Sequence, residues 1–193
     1  MPRVMKVSLL GQSILREKAK PVLNVNDPVI QKLIDNMIKT FEKRKGVGIA
    51  APQVNKPLRL FIISSQPSLR CPNIPVIKPI AIINPVIKSV SYEMEKDWES
   101  CLSIPGIRGL VSRHKSITVT FTNRNGQMEE MFFEGFIARV FQHEYDHIEG
   151  KVFLDLVDPM DLVTEDYYQK NIQAKQKKIN RFVPDEIRRH AFP

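Results

Sequence analysis

The sequence predicts an α+β fold in which partly antiparallel β-sheets pack around a central helix bearing a histidine pair, with a second, more polar helix toward the C-terminus. Three observations predict it. Segments rich in β-branched residues read as strands, two stretches place apolar residues at three- and four-residue steps, and a β-hairpin signal joins two of the strands antiparallel.

The first helix is "NDPVIQKLIDNMIKTFEKRKG" (26–46). Asp27 suits its cap, Pro28 its first turn and Gly46 the residue after its end. Val29, Ile30, Leu33, Ile34, Met37, Ile38 and Phe41 form one broad apolar face, which predicts core. "GVGIAAPQV" (46–54) is too glycine-rich to start a helix and too apolar for a solvated loop, so it is expected to line something. "LRLFIIS" (58–64) and "IAIINPVIKSVSYE" (80–93) read as strands, and Pro85 predicts an edge position or a bend in the second. Between them, residues 65–79 hold four prolines and predict an ordered surface loop. "SITVTFTN" and "QMEEMFF", joined through Arg124, Asn125 and Gly126, predict the hairpin. The second amphipathic stretch is "EGFIARVFQHEYDHIEG" (134–150), with Phe136, Ile137, Val140, Phe141 and Ile148 on one stripe and Gly150 as its stop. "DLVTEDYYQKNIQAKQKKIN" (161–180) predicts the polar C-terminal helix.

The chain has 193 residues, with 42% hydrophobic and 26% charged content. That length and balance predict one soluble globular domain over 1–193, including a basic C-terminal helix and tail from about 159 to 193. No apolar run reaches the roughly eighteen residues that cross a bilayer, and the N-terminal apolar run, Val7 to Leu10, is too short for an export signal, so no membrane association is expected. Cys71 and Cys101 are therefore expected to be thiols rather than a disulfide. Of the net charge of +8, five units fall after residue 167, where Lys170, Lys175, Lys177, Lys178, Arg181, Arg188 and Arg189 face only Asp185 and Glu186. The excess charge belongs mostly to the tail.

Two of the four histidines stand in "QHEYDH" (142–147). On a helix, positions 143 and 147 are four steps of about 100° apart, which leaves their side chains only ~40° apart and one turn along the axis. Both imidazoles can then reach one ion, with Glu144 beside them as a base outside the ligand shell. A chance pair on a helix surface is the plainer reading, but this pair lies beside the apolar stripe. The third ligand decides the chemistry. In the longer metzincin pattern the third histidine would fall at Phe153, which cannot ligate, and Glu165 is the thermolysin-like alternative, with nothing in its context to support it. Cys101, in "WESCLSIPG" (98–106), a short segment expected between strands, is a further thiol that could point inward, or a small buried hydrophobe.

"GVGIAAPQV", "ESCLS" (99–103) and "QHEYDH" together occur in the order and spacing of the three signature motifs of the peptide deformylase family, which the chain resembles over nearly its whole length. This resemblance implies a metal-dependent hydrolase that removes the formyl group from the N-terminal formyl-methionine of newly made proteins and releases formate. It implies Cys101, His143 and His147 as ligands of one divalent ion, Fe(II) first, with Zn, Ni or Co as alternatives. Glu144 would carry the proton, and Gln53 with the Leu102 backbone N–H would hold the developing oxyanion. Gly46, Val47, Gly48, Arg108, Arg139 and Val140 would contact the peptide. Ser100 departs from the family, which usually has glycine before the cysteine ligand. The expected partners are formyl-Met nascent peptides and, through the basic tail, the ribosome. The expected compartment is the bacterial cytoplasm, with an organelle as the alternative. A zinc peptidase would leave Cys101 and Gln53 without roles, and an RNA-binding module would leave the histidine helix without one.

Overall fold

A computed structural model describes residues 1–44, 46–65 and 76–174. Helix α1 (Pro28–Arg44) starts where expected: the Asp27 carboxylate accepts the Val29 N–H at 2.8 Å. The expected apolar face is buried through Leu33, Ile34, Met37 and Phe41, but Val29, in the first turn beyond the sheet's reach, is 71% exposed. Next come β1 (Gly48–Ala50), β2 (Leu60–Ser65), β3 (Ile77–Val90), β4 (Met94–Cys101), β5 (Ile104–His114), β6 (Ser116–Thr122) and β7 (Met128–Glu134). Helix α2 (Gly135–Ile148) follows, then β8 (Leu162–Thr164) and a helix α3 that opens at Glu165–Tyr167 and continues in wider π-type turns over Tyr168–Gln173. Among the described residues no helix is long and apolar enough to cross a membrane.

The strands form a five-stranded sheet, β1-β2-β3-β6-β7, and a three-stranded sheet, β4-β5-β8. All the strand pairings are antiparallel, and the one parallel contact among the described residues is the isolated Lys20–Leu58 bridge. Period-two geometry explains why β2 is buried on both faces. Phe61 and Ile63 point to α2, where they meet Phe141 and Ala138, while Leu60 and Ile62 point to α1, where they meet Leu33, Ile34 and Met37. Phe61 and Phe141 touch edge to face, with ring centres 5.0 Å apart. Each such ring contributes at most about 1.5–3 kcal/mol by leaving water.

One open alternative is resolved and three expectations are corrected. Pro85 marks a bend and not an edge: β3 is the central strand, Asn84 has φ 50°, and the register with β6 shifts between Ile83 and Val86, where proline offers no N–H. Residues 162–164 are a strand and not helix, because Leu162 and Val163 pair with Gly109 and Arg108, and Thr164 then caps α3 through the Tyr167 N–H. Cys101 ends a strand rather than lying between strands. The proposed loop's residues 77–79 belong to β3, while its residues 66–75, Cys71 among them, lie outside the described residues, as do 175–180 of the predicted C-terminal helix and the tail beyond.

Candidate metal centre

Helix α2 lies between the five-stranded sheet and the β4–β5 hairpin. Its apolar stripe packs on the former, and its other face is tied to the latter by Gln142, whose Nε2 donates to His114 O at 2.8 Å, and by Arg139, whose Nη1 donates to Val111 O at 2.8 Å. This orientation turns His143, Glu144 and His147 toward the end of β4, where Cys101 stands. The Cys101 Sγ is 3.2 Å from His147 Nε2, and one donor atom from each of Cys101, His143 and His147 lies within 4.8 Å of the others. Tetrahedral coordination with usual Zn–S and Zn–N lengths needs donors about 3.5 Å apart, so the trio can close on one ion with small movements. Cys101 and His147 are buried, and the His143 side chain is 11% exposed.

The surroundings prepare each donor. His143 Nδ1 is 2.8 Å from Glu99 Oε2. Glu99 is ionised, since the His143 and Arg113 bonds outweigh burial and hold its carboxyl well below the usual range. An ionised carboxylate only accepts, so the proton sits on Nδ1 and Nε2 is left for an ion. Burial alone would raise the Cys101 thiol, but the two facing imidazoles hold it well below the ordinary thiol range, toward the thiolate that ligates. Glu144 is 4% exposed, and burial pushes its pKa up to about 7 against the pull of His143 and His147. Among the described residues, Glu144 Oε2 and His147 Nδ1 are buried without a hydrogen-bond partner. Buried polar atoms without partners are costly and rare, and Glu144 Oε2 is one beside the three donors, as water attending an ion there requires. The residues present fit a divalent metal.

Gln53 reaches this cluster from the turn that follows β1 and is 1% exposed. Its Oε1 accepts the Ala50 N–H at 2.8 Å, which fixes the amide so that Nε2 points at Cys101 Sγ, 3.4 Å away, and at Ser103 Oγ, 3.2 Å away. Leu102, half-buried, packs with the α1 cluster and lies near Gly46. Gly48 has a reason within the fold: a Cβ there would stand 2.4 Å from Glu144 Oε1. Only glycine leaves room for the carboxylate. Val47 packs against the cluster that buries Val140.

Two arginines have partners that the sequence did not reveal. Arg139 is buried behind His143, donating to Glu99 Oε1 at 3.1 Å and to the carbonyls of Val111 and Glu95. Arg108 is held by Glu165, whose carboxylate accepts from Nε at 2.6 Å, so Glu165 is engaged away from the donor trio. Several functional positions escaped the sequence reading. Glu99 shares a strand face with Cys101 by period two, Arg113 clamps Glu99 at 2.9 and 3.1 Å, and Asp146 accepts from Arg113 at 2.5 Å. Phe153, unable to ligate, packs its ring against His143 at 6.2 Å between centres. Strand alternation could have flagged Glu99; the others meet the site only through the fold.

The sequence profile described as polypeptide deformylase matches residues 4–162. The chain belongs to the polypeptide deformylase family. Peptide deformylase 2 of Nostoc sp. is 45% identical over 177 residues, covering 91% of this chain and 99% of that protein. Among solved structures, a class I type b peptide deformylase from Acinetobacter baumannii with Met-Ala-Ser bound superposes with TM-score 0.79 at 39% identity, covering 81% of this chain and 100% of that one. The deformylase from Thermotoga maritima superposes with TM-score 0.74 at 38% identity, over 81% and 99% of the two chains. Deformylases are metal-dependent hydrolases that remove N-formyl groups from newly made polypeptides, and this chain is an enzyme of that kind.

Proposed function

We propose that Cys101, His143 and His147 hold one divalent ion at which the formyl amide of an N-terminal formyl-methionine is hydrolysed to formate and a free amine. One observation carries this reading. The three donor atoms converge within 4.8 Å beside a buried carboxylate oxygen, Glu144 Oε2, that has no partner among the described residues. Bound there, a divalent ion supplies Lewis acidity and makes water nucleophilic near neutral pH. Glu144 accepts a proton as water adds to the formyl carbon and returns it to the nitrogen as the C–N bond breaks. The Gln53 Nε2, aimed past Cys101, and the Leu102 N–H donate to the oxygen that gains negative charge. Glu99 keeps the His143 proton on Nδ1 throughout.

Around this centre, the backbone at Gly46 and Val47 and the side chains of Val47 and Val140 form the edge that receives methionine, and Arg108 faces the peptide beyond it. The Met-Ala-Ser in the Acinetobacter baumannii structure supports a methionine-first peptide as the ligand. Fe(II) is the native metal in this reading, on family resemblance, because one thiolate and two imidazoles equally accept Zn, Ni or Co. Residues 1–193 act as one catalytic unit in the bacterial cytoplasm, with the basic tail making salt-sensitive contact with the ribosome; the tail charge supports the latter. The test is formate release from formyl-Met-Ala-Ser, with metal quantified, against unformylated Met-Ala-Ser, with and without a chelator. Release only from the formylated peptide, lost on chelation and restored by Fe(II), is expected. No release by the fully metallated enzyme refutes the assignment.

A further inference from the structure

We propose that Glu165 neutralises Arg108, so that the enzyme reads the peptide beyond methionine by its backbone and not by the charge of its side chains; this rests on the reading of Arg108 as a peptide contact. Arg108 stands on β5, and Val163 of β8 is its register partner. That pairing delivers the start of α3 to the guanidinium. Glu165 accepts from Nε at 2.6 Å and from Nη2 at 3.3 Å, and the Tyr168 ring covers one face with the Cζ 4.2 Å from its centre. Both partners are themselves fixed. Gln169 Nε2 donates to Glu165 Oε1 at 2.6 Å, and Tyr168 packs against Trp98 at 5.5 Å. Glu165 and Tyr168 lie beyond the span matched by the family profile, which ends at 162.

The chemistry follows from which N–H groups are used. A guanidinium has five N–H donors; Glu165 engages those on Nε and Nη2, and Nη1 has no hydrogen-bond partner among the described residues. The N–H groups that Glu165 leaves unused can still donate to a peptide carbonyl. The paired charges cancel for any group more than a few ångström away, so an acidic side chain gains little over a basic one. For an enzyme that must accept every newly made chain, indifference to side-chain charge is useful. Glu165 and Tyr168 are thus positioning residues acting through Arg108.

The experiment compares kcat/KM for formyl-Met-Ala-Glu and formyl-Met-Ala-Lys, as a ratio that cancels any general loss of fold or metal. Wild type is expected to give a ratio within about two-fold of unity. Glu165→Gln leaves Arg108 uncompensated and should favour the acidic peptide about five-fold at low salt, mostly through KM, an effect of one unit charge a few ångström away that fades as ionic strength rises. Arg108→Ala should invert the preference toward the basic peptide, and the double variant should return it to near unity. Tyr168→Phe, which keeps the ring over the guanidinium, should keep the wild-type ratio. A Glu165→Gln ratio equal to wild type, with Arg108→Ala raising KM, overturns the neutralisation while leaving Arg108 a peptide contact. Unchanged KM and ratio in Arg108→Ala overturn both, and absence of formate release by wild type is the distinct failure of the function itself.

Discussion

At the scale of single residues, this site depends on where protons and ligand atoms are held. Glu144→Gln keeps the shape of the side chain but cannot accept a proton, so metal content should hold while formate release falls by about 10²- to 10⁴-fold or more. Cys101→Ala should lose both metal and activity, measured by metal analysis and the same assay, whereas Cys71→Ala, outside the described residues, should keep both. Gly48→Ala offers a more unusual test. Its new Cβ would overlap Glu144 Oε1, so the carboxylate must swing away from the cluster. Turnover is expected to fall about 10²-fold, the usual cost of a misplacement near 1 Å, with metal content and thermal midpoint close to wild type. Normal turnover in Gly48→Ala would refute the fixed seat for Glu144. The motif spacing made His143, Glu144, His147 and Cys101 legible, but nothing along the chain reveals that residue 48 backs onto residue 144.

At the scale of elements, the site is precise because β4, the turn after β1, and α2 each deliver one part of it to a packed framework. The end of α2 is fixed by Gly150, whose φ of 75° favours glycine and whose position leaves no room for a Cβ, which would stand 2.8 Å from Arg16 O. Gly150→Ala is therefore expected to destabilise the fold by about 1–3 kcal/mol, read from the denaturant midpoint at constant slope. A midpoint equal to wild type would show that the helix stop tolerates side chains. Helix α1, the β6–β7 hairpin and α2 were legible because their periodicities are long and their stop signals strong. The β4–β5 pair was not, because "MEKDWESC" and "IPGIRGLVSRH" carry their polar residues inward, where Glu99 and Arg113 satisfy each other.

At the scale of the whole molecule, the N-terminal segment is a strap across the fold. The N–H groups of Arg3 and Met5 reach Asn36 and Thr40 of α1, those of Ser8 and Leu10 reach the carbonyls of Gln53 and Ser103 beside the site, and that of Ala19 reaches Ile148 of α2. Arg16 closes the strap on Asp155, 139 residues along the chain. Burial raises the Asp155 carboxyl, but the Arg16 and Val152 bonds outweigh it and set its pKa below the ordinary value. A depressed carboxyl pKa gives stability that is present above the unfolded pKa, near 3.9, and lost as pH falls through the folded value. The pair is partly exposed, so Arg16→Gln should cost only about 0.2–1 kcal/mol near neutral pH. That difference should vanish in acid below the Asp155 pKa and shrink in high salt. A difference that persists in acid would assign the effect of Arg16 to packing rather than charge.

By itself the sequence determined the helix that carries His143, Glu144 and His147, the antiparallel hairpin and the family, because these are written in periodicities and motif spacings that need no partner to be read. Only the tertiary structure decided that Glu99 sets the His143 tautomer, that Arg139 sits behind the site and that Arg108 is paired with Glu165. Those assignments depend on which side chains meet across long separations. A buried charge takes whatever partner the fold brings within reach, and the order of residues along the chain does not name it.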